Sequence, residues 1–174
     1  MSVAFDAPLS PDPCLGLLSK FRQVRQYSAQ LIAPLSAEDC ALQASPFVSP
    51  AKWHLAHTTW FFETFILLEG DSSYQAFNAQ YQVLFNSYYN HMGKRTLRPE
   101  RGFMSRPTVK EVYAYRDFVN QAIQELFKMD LPQETLSLIE IGINHEQQHQ
   151  ELLVYDMKYI LGIQPILPSL GNIF

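Results

Sequence analysis

The stretch Ile143-Asn144-His145-Glu146-Gln147-Gln148-His149-Gln150-Glu151 reads as helix and lies inside a longer helical run from about Gln133 to Leu161. Pro132 precedes that run, and Gly162 and Pro165 follow it, which is a helix start and stop in sequence terms. His145 and His149 are four residues apart. Helix geometry therefore sets both imidazoles on one face, one turn apart, where they can grip a single metal ion. Leu138, Ile141 and Leu152 are expected on the same face, which turns it inward. Two buried neutral imidazoles need hydrogen-bond partners or a cation. Asp156 and Glu151 are close enough in sequence to accept from imidazole N–H groups.

Outward from this helix, nearly every local signal is helical. Leu17, Leu18, Phe21, Val24, Tyr27 and Leu31 form a stripe along a helix from Leu15 to Leu31. Ser36, with Asp39 three residues on, caps a short turn. Ser49-Pro50 reads as an N-cap followed by a first-turn proline, opening a helix to Glu69 that Gly70 stops. Thr108 and Glu111 have capping-box spacing and open a helix to about Lys128. Four main helices and few strand signals make the fold class all-α, a four-helix bundle. A long irregular connection, residues 71–107, joins helices 2 and 3. It contains His91, read as a loop residue, and the basic series Lys94, Arg95, Arg98, Arg101 and Arg106. A connection of that length in a compact bundle usually carries function.

The composition is that of one well-packed domain. Of 174 residues, 47% are hydrophobic, enough for a sizeable core. The net charge of −4 has its signs mixed along the chain, which argues against a nucleic-acid surface. Cys14 and Cys40 imply no disulfide framework and make a reducing, cytoplasmic setting the default. No apolar run approaches a membrane span, and the first residues lack a signal-peptide pattern. The apolar tail with Ile166, Leu167, Leu170, Ile173 and Phe174 is expected to pack back on the bundle or to lead into a further segment.

A third ligand is expected from Trp53-His54-Leu55-Ala56-His57-Thr58-Thr59-Trp60. His57 has Trp53, Trp60 and Phe61 as helical neighbours, which keep water out. His54 competes for the same role with less aromatic flanks. Three histidines with open positions suit zinc and water activation, or ferrous iron as a variant of the facial triad. The segment also matches His-Glu-x-x-His, in which Glu146 would be a peptidase base. Its support fails elsewhere: the extended motif needs Gly at 152 and His at 155, where the chain has Leu152 and Tyr155, and no glutamate follows Glu151.

Four segments together resemble a known family: residues 49–63 (SPAKWHLAHTTWFFE), Phe85-Asn86-Ser87-Tyr88-Tyr89-Asn90, Arg101-Gly102-Phe103-Met104-Ser105-Arg106-Pro107 and residues 145–151 (HEQQHQE). The chain resembles the N-terminal DinB-like domain of the iron-dependent sulfoxide synthases of ergothioneine and ovothiol biosynthesis. The resemblance implies a DinB-like four-helix bundle over residues 1–162, with His57, His145 and His149 as ligands to Fe(2+), and Zn(2+) as the alternative. It implies thiol and imidazole substrates: cysteine or γ-glutamylcysteine joined to hercynine, or to histidine, with O2. It also implies a C-terminal catalytic domain like the formylglycine-generating enzymes, which nothing here matches. Residues 163–174 are then expected to be a linker toward it, with the catalytic residues in that domain. Arg95, Arg98, Arg101 and Arg106 are candidates to hold a donor carboxylate by bidentate pairing, against a solvated basic loop. Other readings in view are a stand-alone zinc-dependent thiol transferase and a non-catalytic, metal-stabilised bundle.

Overall fold

Twelve consecutive residues, Ala51–Phe62, are all buried, and the rest of the molecule is arranged around them. The computed structural model describes residues 13–87 and 95–168. His91 and Lys94 of the long connection, and Leu170, Ile173 and Phe174 of the tail, lie outside the described residues. The elements are α1 (Pro13–Ile32), α2 (Ala37–Ala41), α3 (Ala51–Phe62), a π-helical turn (Glu63–Leu68), α4 (Tyr81–Leu84), a 3-10 turn (Arg98–Phe103), α5 (Val109–Leu126) and α6 (Gln133–Gly162). The described residues contain no strand. The four-helix bundle is α1, α3, α5 and α6, with α3 packed against each of the other three.

A helix buried on every side has no polar face, and α3 has none. Its neighbours are one-sided. Phe21, Val24 and Leu31 of α1, Val112, Tyr115, Val119 and Ile123 of α5, and Ile139, Ile143, Leu153, Met157 and Ile160 of α6 turn to the core. Tyr27, expected in the α1 stripe, is 43% exposed instead, and Ile141 of α6 is 53% exposed. Both sit at the edge of their stripes, about one residue's rotation from the core. Leu138 and Leu152 are half-buried as expected. None of the helices described is long and apolar enough to cross a membrane.

Local signals set most helix starts. Ser36 with Asp39, and Thr108 with Glu111, form reciprocal capping boxes. Ser49 does not cap α3. The N-cap residue is Pro50, with no side-chain cap; Ser49 instead donates its backbone N–H to Asp156 Oδ2 and accepts from Arg101 at Oγ. The expected single helix to Glu69 is interrupted by the π turn. That turn begins at Glu63, whose buried carboxylate accepts from Tyr74 Oη, Phe77 N, Gln82 Nε2 and Tyr115 Oη. One carboxylate thus ties the connection after α3 to the bundle and leads the chain through α4 to Phe85. Lys52, also buried, donates to the carbonyls of Met104 and Pro107 and anchors the later part of the connection.

Candidate metal centre

His57 enters the core from α3, and His145 and His149 from α6. One ring nitrogen from each of the three lies within 4.8 Å of the others, close enough to hold one metal ion. Their ring centroids are 5.1 Å (57 to 145), 4.8 Å (57 to 149) and 4.7 Å (145 to 149) apart. The spacing of four along α6 and the packing of α3 across it bring the rings together, as the sequence led one to expect.

The surroundings of His57 are aromatic. Its ring stacks between Trp53, at 4.5 Å and 13°, and Trp60, at 5.5 Å and 15°. The guanidinium of Arg101 caps the far side of Trp53, 3.3 Å from the ring centroid. His57 Nδ1 lies 2.7 Å from the carbonyl oxygen of Phe85. A carbonyl can only accept, so Nδ1 carries the proton and Nε2 offers a lone pair. His145 packs against Phe61 at 4.9 Å, and its buried Nδ1 has no hydrogen-bond partner among the described residues. A buried ring nitrogen without a protein partner suits a site that takes a ligand. His149 Nδ1 lies 3.0 Å from His54 Nδ1, and His54 Nε2 lies 3.0 Å from Asp156 Oδ2.

Burial keeps these imidazoles neutral. Loss of solvent is the first cause lowering the pKa of each of His54, His57, His145 and His149, and it brings His145 to about 4. The mutual proximity of the rings and the charge of Arg101 push His57 and His149 down further. Neutral imidazoles keep the lone pairs a metal needs. Three neutral nitrogen donors fit a borderline divalent ion, iron or zinc alike, and do not choose between them.

Glu146 takes no part in this cluster, although it lies between the two histidines in sequence. Its carboxylate is 1% exposed and turns from α6 toward α1 and α5. There it meets Arg25 Nη1 and Arg116 Nη2, each at 2.9 Å, and accepts from Ser28 Oγ at 2.6 Å. Burial pushes its carboxyl up, but Arg25, Arg116 and Ser28 more than reverse this and hold it at about 2. A carboxylate enclosed by two guanidiniums cannot serve as a base at the histidines, so the peptidase reading has no geometry here. Arg25 also reaches Asn120 and Thr59, and Arg116 reaches the carbonyls of Leu55 and Arg25. The cluster cross-links α1, α3, α5 and α6.

A cavity of about 260 Å³ opens on the histidines, lined by Trp53, His57, Ser87, Arg98, Arg101, His145, Gln148, His149 and Leu152. Two of the four candidate arginines are therefore at the site. Arg101 is buried and donates to Ser49 Oγ and Ser87 Oγ. Arg98 is exposed at the rim and donates to the carbonyl of Phe47. Arg95 bonds the carbonyl of Ser87 and Arg106 that of Ser105; both are exposed, and neither lines the cavity. They lie before and after the 3-10 turn, which itself brings Arg98 and Arg101 to the cavity. Glu151, a candidate acceptor for an imidazole, is exposed on the other side of α6, in a groove of about 590 Å³ with Tyr27 and Tyr155. Asp156 is the acceptor used, and it serves His54 rather than a member of the trio. From sequence His54 is only a competitor of His57 for the metal; in the structure it is the partner of His149. Its spacing of three from His57 on a wholly buried helix was the available signal that it belongs to the site.

A family model described as the DinB superfamily matches residues 20–153, which cover the bundle from α1 to the middle of α6 and include all three histidines. No curated protein matches the chain.

Proposed function

The chain belongs to the DinB superfamily, and from that premise we propose that it is the metal-binding part of a non-haem iron(II)-dependent sulfoxide synthase. The observation that carries the proposal is the trio of buried His57 and half-buried His145 and His149, lining a cavity that also holds Arg98 and Arg101. The sequence segments quoted above add the resemblance to the synthases of ergothioneine and ovothiol biosynthesis. The reaction joins the sulfur of cysteine or γ-glutamylcysteine to an imidazole carbon of hercynine or histidine. The S–H and C–H bonds break, C–S and S–O bonds form, and O2 is reduced to the sulfoxide oxygen and one water. Iron(II), which His57, His145 and His149 would hold, would supply the redox chemistry toward O2 and open positions for substrates.

The chain's own residues have separable tasks in this reading. Three neutral ligands leave the site a net positive charge, which favours the thiolate form of a donor. Arg101 is fixed by Trp53, Ser49 and Ser87 and turns its charge toward the cavity, where a donor carboxylate can pair with it and with Arg98. Trp53 and Trp60 enclose the His57 ring, and Phe61 packs on that of His145. A second, formylglycine-generating-enzyme-like domain, in cis or in trans, completes the pocket and supplies the catalytic residues. A reducing, cytoplasmic setting suits both ferrous iron and a free thiol.

The test is oxygen consumption by the ferrous protein, with that second domain supplied, in the presence of thiol and imidazole substrates, and mass analysis of the product. Uptake that requires both substrates and yields a sulfoxide supports the proposal. Metal-dependent transfer of the thiol without oxygen consumption supports the zinc-type transferase instead. Oxygen uptake unaltered in Arg101→Met, with KM for the thiol unchanged, removes the arginine from the donor site.

A further inference from the structure

His54 is not one of the three converging rings, yet it touches one of them and is itself held by a carboxylate. Asp156 Oδ2 lies 3.0 Å from His54 Nε2, and His54 Nδ1 lies 3.0 Å from His149 Nδ1. The same Asp156 oxygen accepts from Ser49 N at 2.8 Å. His54 and Asp156 are 2% and 4% exposed. The void beside His54 and His149, lined also by Ser28, Thr58 and Glu146, measures about 10 Å³ and holds at most one water. Solvent is in no position to replace His54 as the partner of His149.

We infer that Asp156 and His54 form a positioning relay that fixes the proton of His149 on Nδ1 and thereby turns its Nε2 lone pair to the metal. A carboxylate oxygen already accepting an amide N–H takes a further donor, so Nε2 of His54 carries hydrogen. A neutral imidazole has one N–H, which leaves Nδ1 of His54 as an acceptor. Across 3.0 Å, Nδ1 of His149 must then donate, and its Nε2 is bare. His57 reaches the same tautomer by a shorter route, through the carbonyl of Phe85. Two ligands from two helices are thus preset for the same nitrogen, one by backbone and one by side chains. Outer groups of this kind orient ligand rings and raise their basicity. The relay also pins α3 to α6, because His54 lies one turn before His57 and Asp156 two turns after His149. The inference rests on the reading of the trio as a metal site, although its first test does not need the metal.

That test is a long-range ¹H–¹⁵N correlation spectrum of the apoprotein, labelled at histidine, at neutral pH with chelator present. The expected pattern is His149 protonated at Nδ1 and bare at Nε2, with His54 the reverse. A proton on Nε2 of His149, or two protons on His54, overturns the inference. The second test is titration of apoprotein with Co(II), followed by its visible absorption. His54→Leu is expected to weaken binding by about 10- to 100-fold at unchanged 1:1 stoichiometry. His54→Asn, whose Oδ1 takes the place of Nδ1 and can accept from His149, is expected to restore most of it. Binding by His54→Leu within threefold of wild type overturns the relay; if that variant does not fold, the tautomer measurement on the wild type still decides. A wild-type protein with the stated tautomers that binds no metal refutes the proposed function and leaves the tautomer assignment standing.

Discussion

Replacing Glu146 by glutamine separates two roles that the sequence places side by side. The change is nearly isosteric and removes one negative charge from a site where that charge faces two guanidiniums at 2.9 Å. Arg25 is held at about 10 by burial and by Arg116, with Glu146 opposing both. Without the carboxylate, two buried cations face each other with no anion between them. Removing one partner of a buried ion pair costs about 3–5 kcal/mol, a large share of the roughly 5–15 kcal/mol that stabilises a domain. At about 2–4 °C per kcal/mol for a chain of this size, Glu146→Gln should melt roughly 6–20 °C below wild type. Circular dichroism at 222 nm on apoprotein with chelator measures this. The folded variant, below its melting point, should still bind one metal ion, because the carboxylate is committed to Arg25, Arg116 and Ser28 and is not a member of the histidine trio. A melting point within about 2 °C of wild type refutes the buried-charge reasoning. Loss of metal binding in a folded variant refutes the separation of the buried charge cluster from the histidine trio.

Further outcomes follow from packing and charge elsewhere. A methyl group at Gly142 would sit 2.6 Å from Phe62 Cε1 and 3.1 Å from Phe61 Cε1; Phe62 is fully buried and cannot swing away. Overpacking of roughly 1–3 kcal/mol outweighs the helix gain of about 1 kcal/mol from alanine, so Gly142→Ala should melt a few degrees lower, and a higher melting point would contradict the packing. Burial, then the charge of Asp39, raises the Cys40 thiol from 9.0 to about 11. The fold therefore favours the protonated thiol. Its contribution is whole below about pH 9 and is lost as pH rises to about 11, amounting to about 2–3 kcal/mol. Urea unfolding across that interval should show a steeper loss for wild type than for Cys40→Ala; equal slopes would count against it.

The residues that were legible in advance share a local cause. His145 and His149 are set by helix periodicity, Thr108 and Glu111 by a capping box, and the ends of α6 by Pro132 and Gly162. Each depends on neighbours within a turn or two. His57 was legible because aromatic residues surround it in sequence and the same residues, Trp53 and Trp60, surround it in space. What escaped depends on pairings across more than 100 positions, or nearly so. Arg25 to Glu146 joins α1 to α6, and His54 to Asp156 joins α3 to α6; no periodicity announces either. The π turn was hidden because its cause is the carboxylate of Glu63 gathering groups from Tyr74 to Tyr115. The four arginines looked alike in one basic segment. Only the path of the chain through the 3-10 turn separates Arg98 and Arg101, at the cavity, from Arg95 and Arg106, outside it. Ile141 shows the limit of stripe counting: one position's rotation at the edge of a face exchanges core for solvent.

The central claim is that three imidazoles from α3 and α6 hold one ion. Crystals of the protein loaded with ferrous iron under anaerobic conditions, measured at the iron absorption edge, test it directly. The account predicts a single anomalous peak within bonding distance of a ring nitrogen of each of His57, His145 and His149. A peak bonded to only one or two of these rings, or no peak at the trio while metal binds elsewhere, contradicts it.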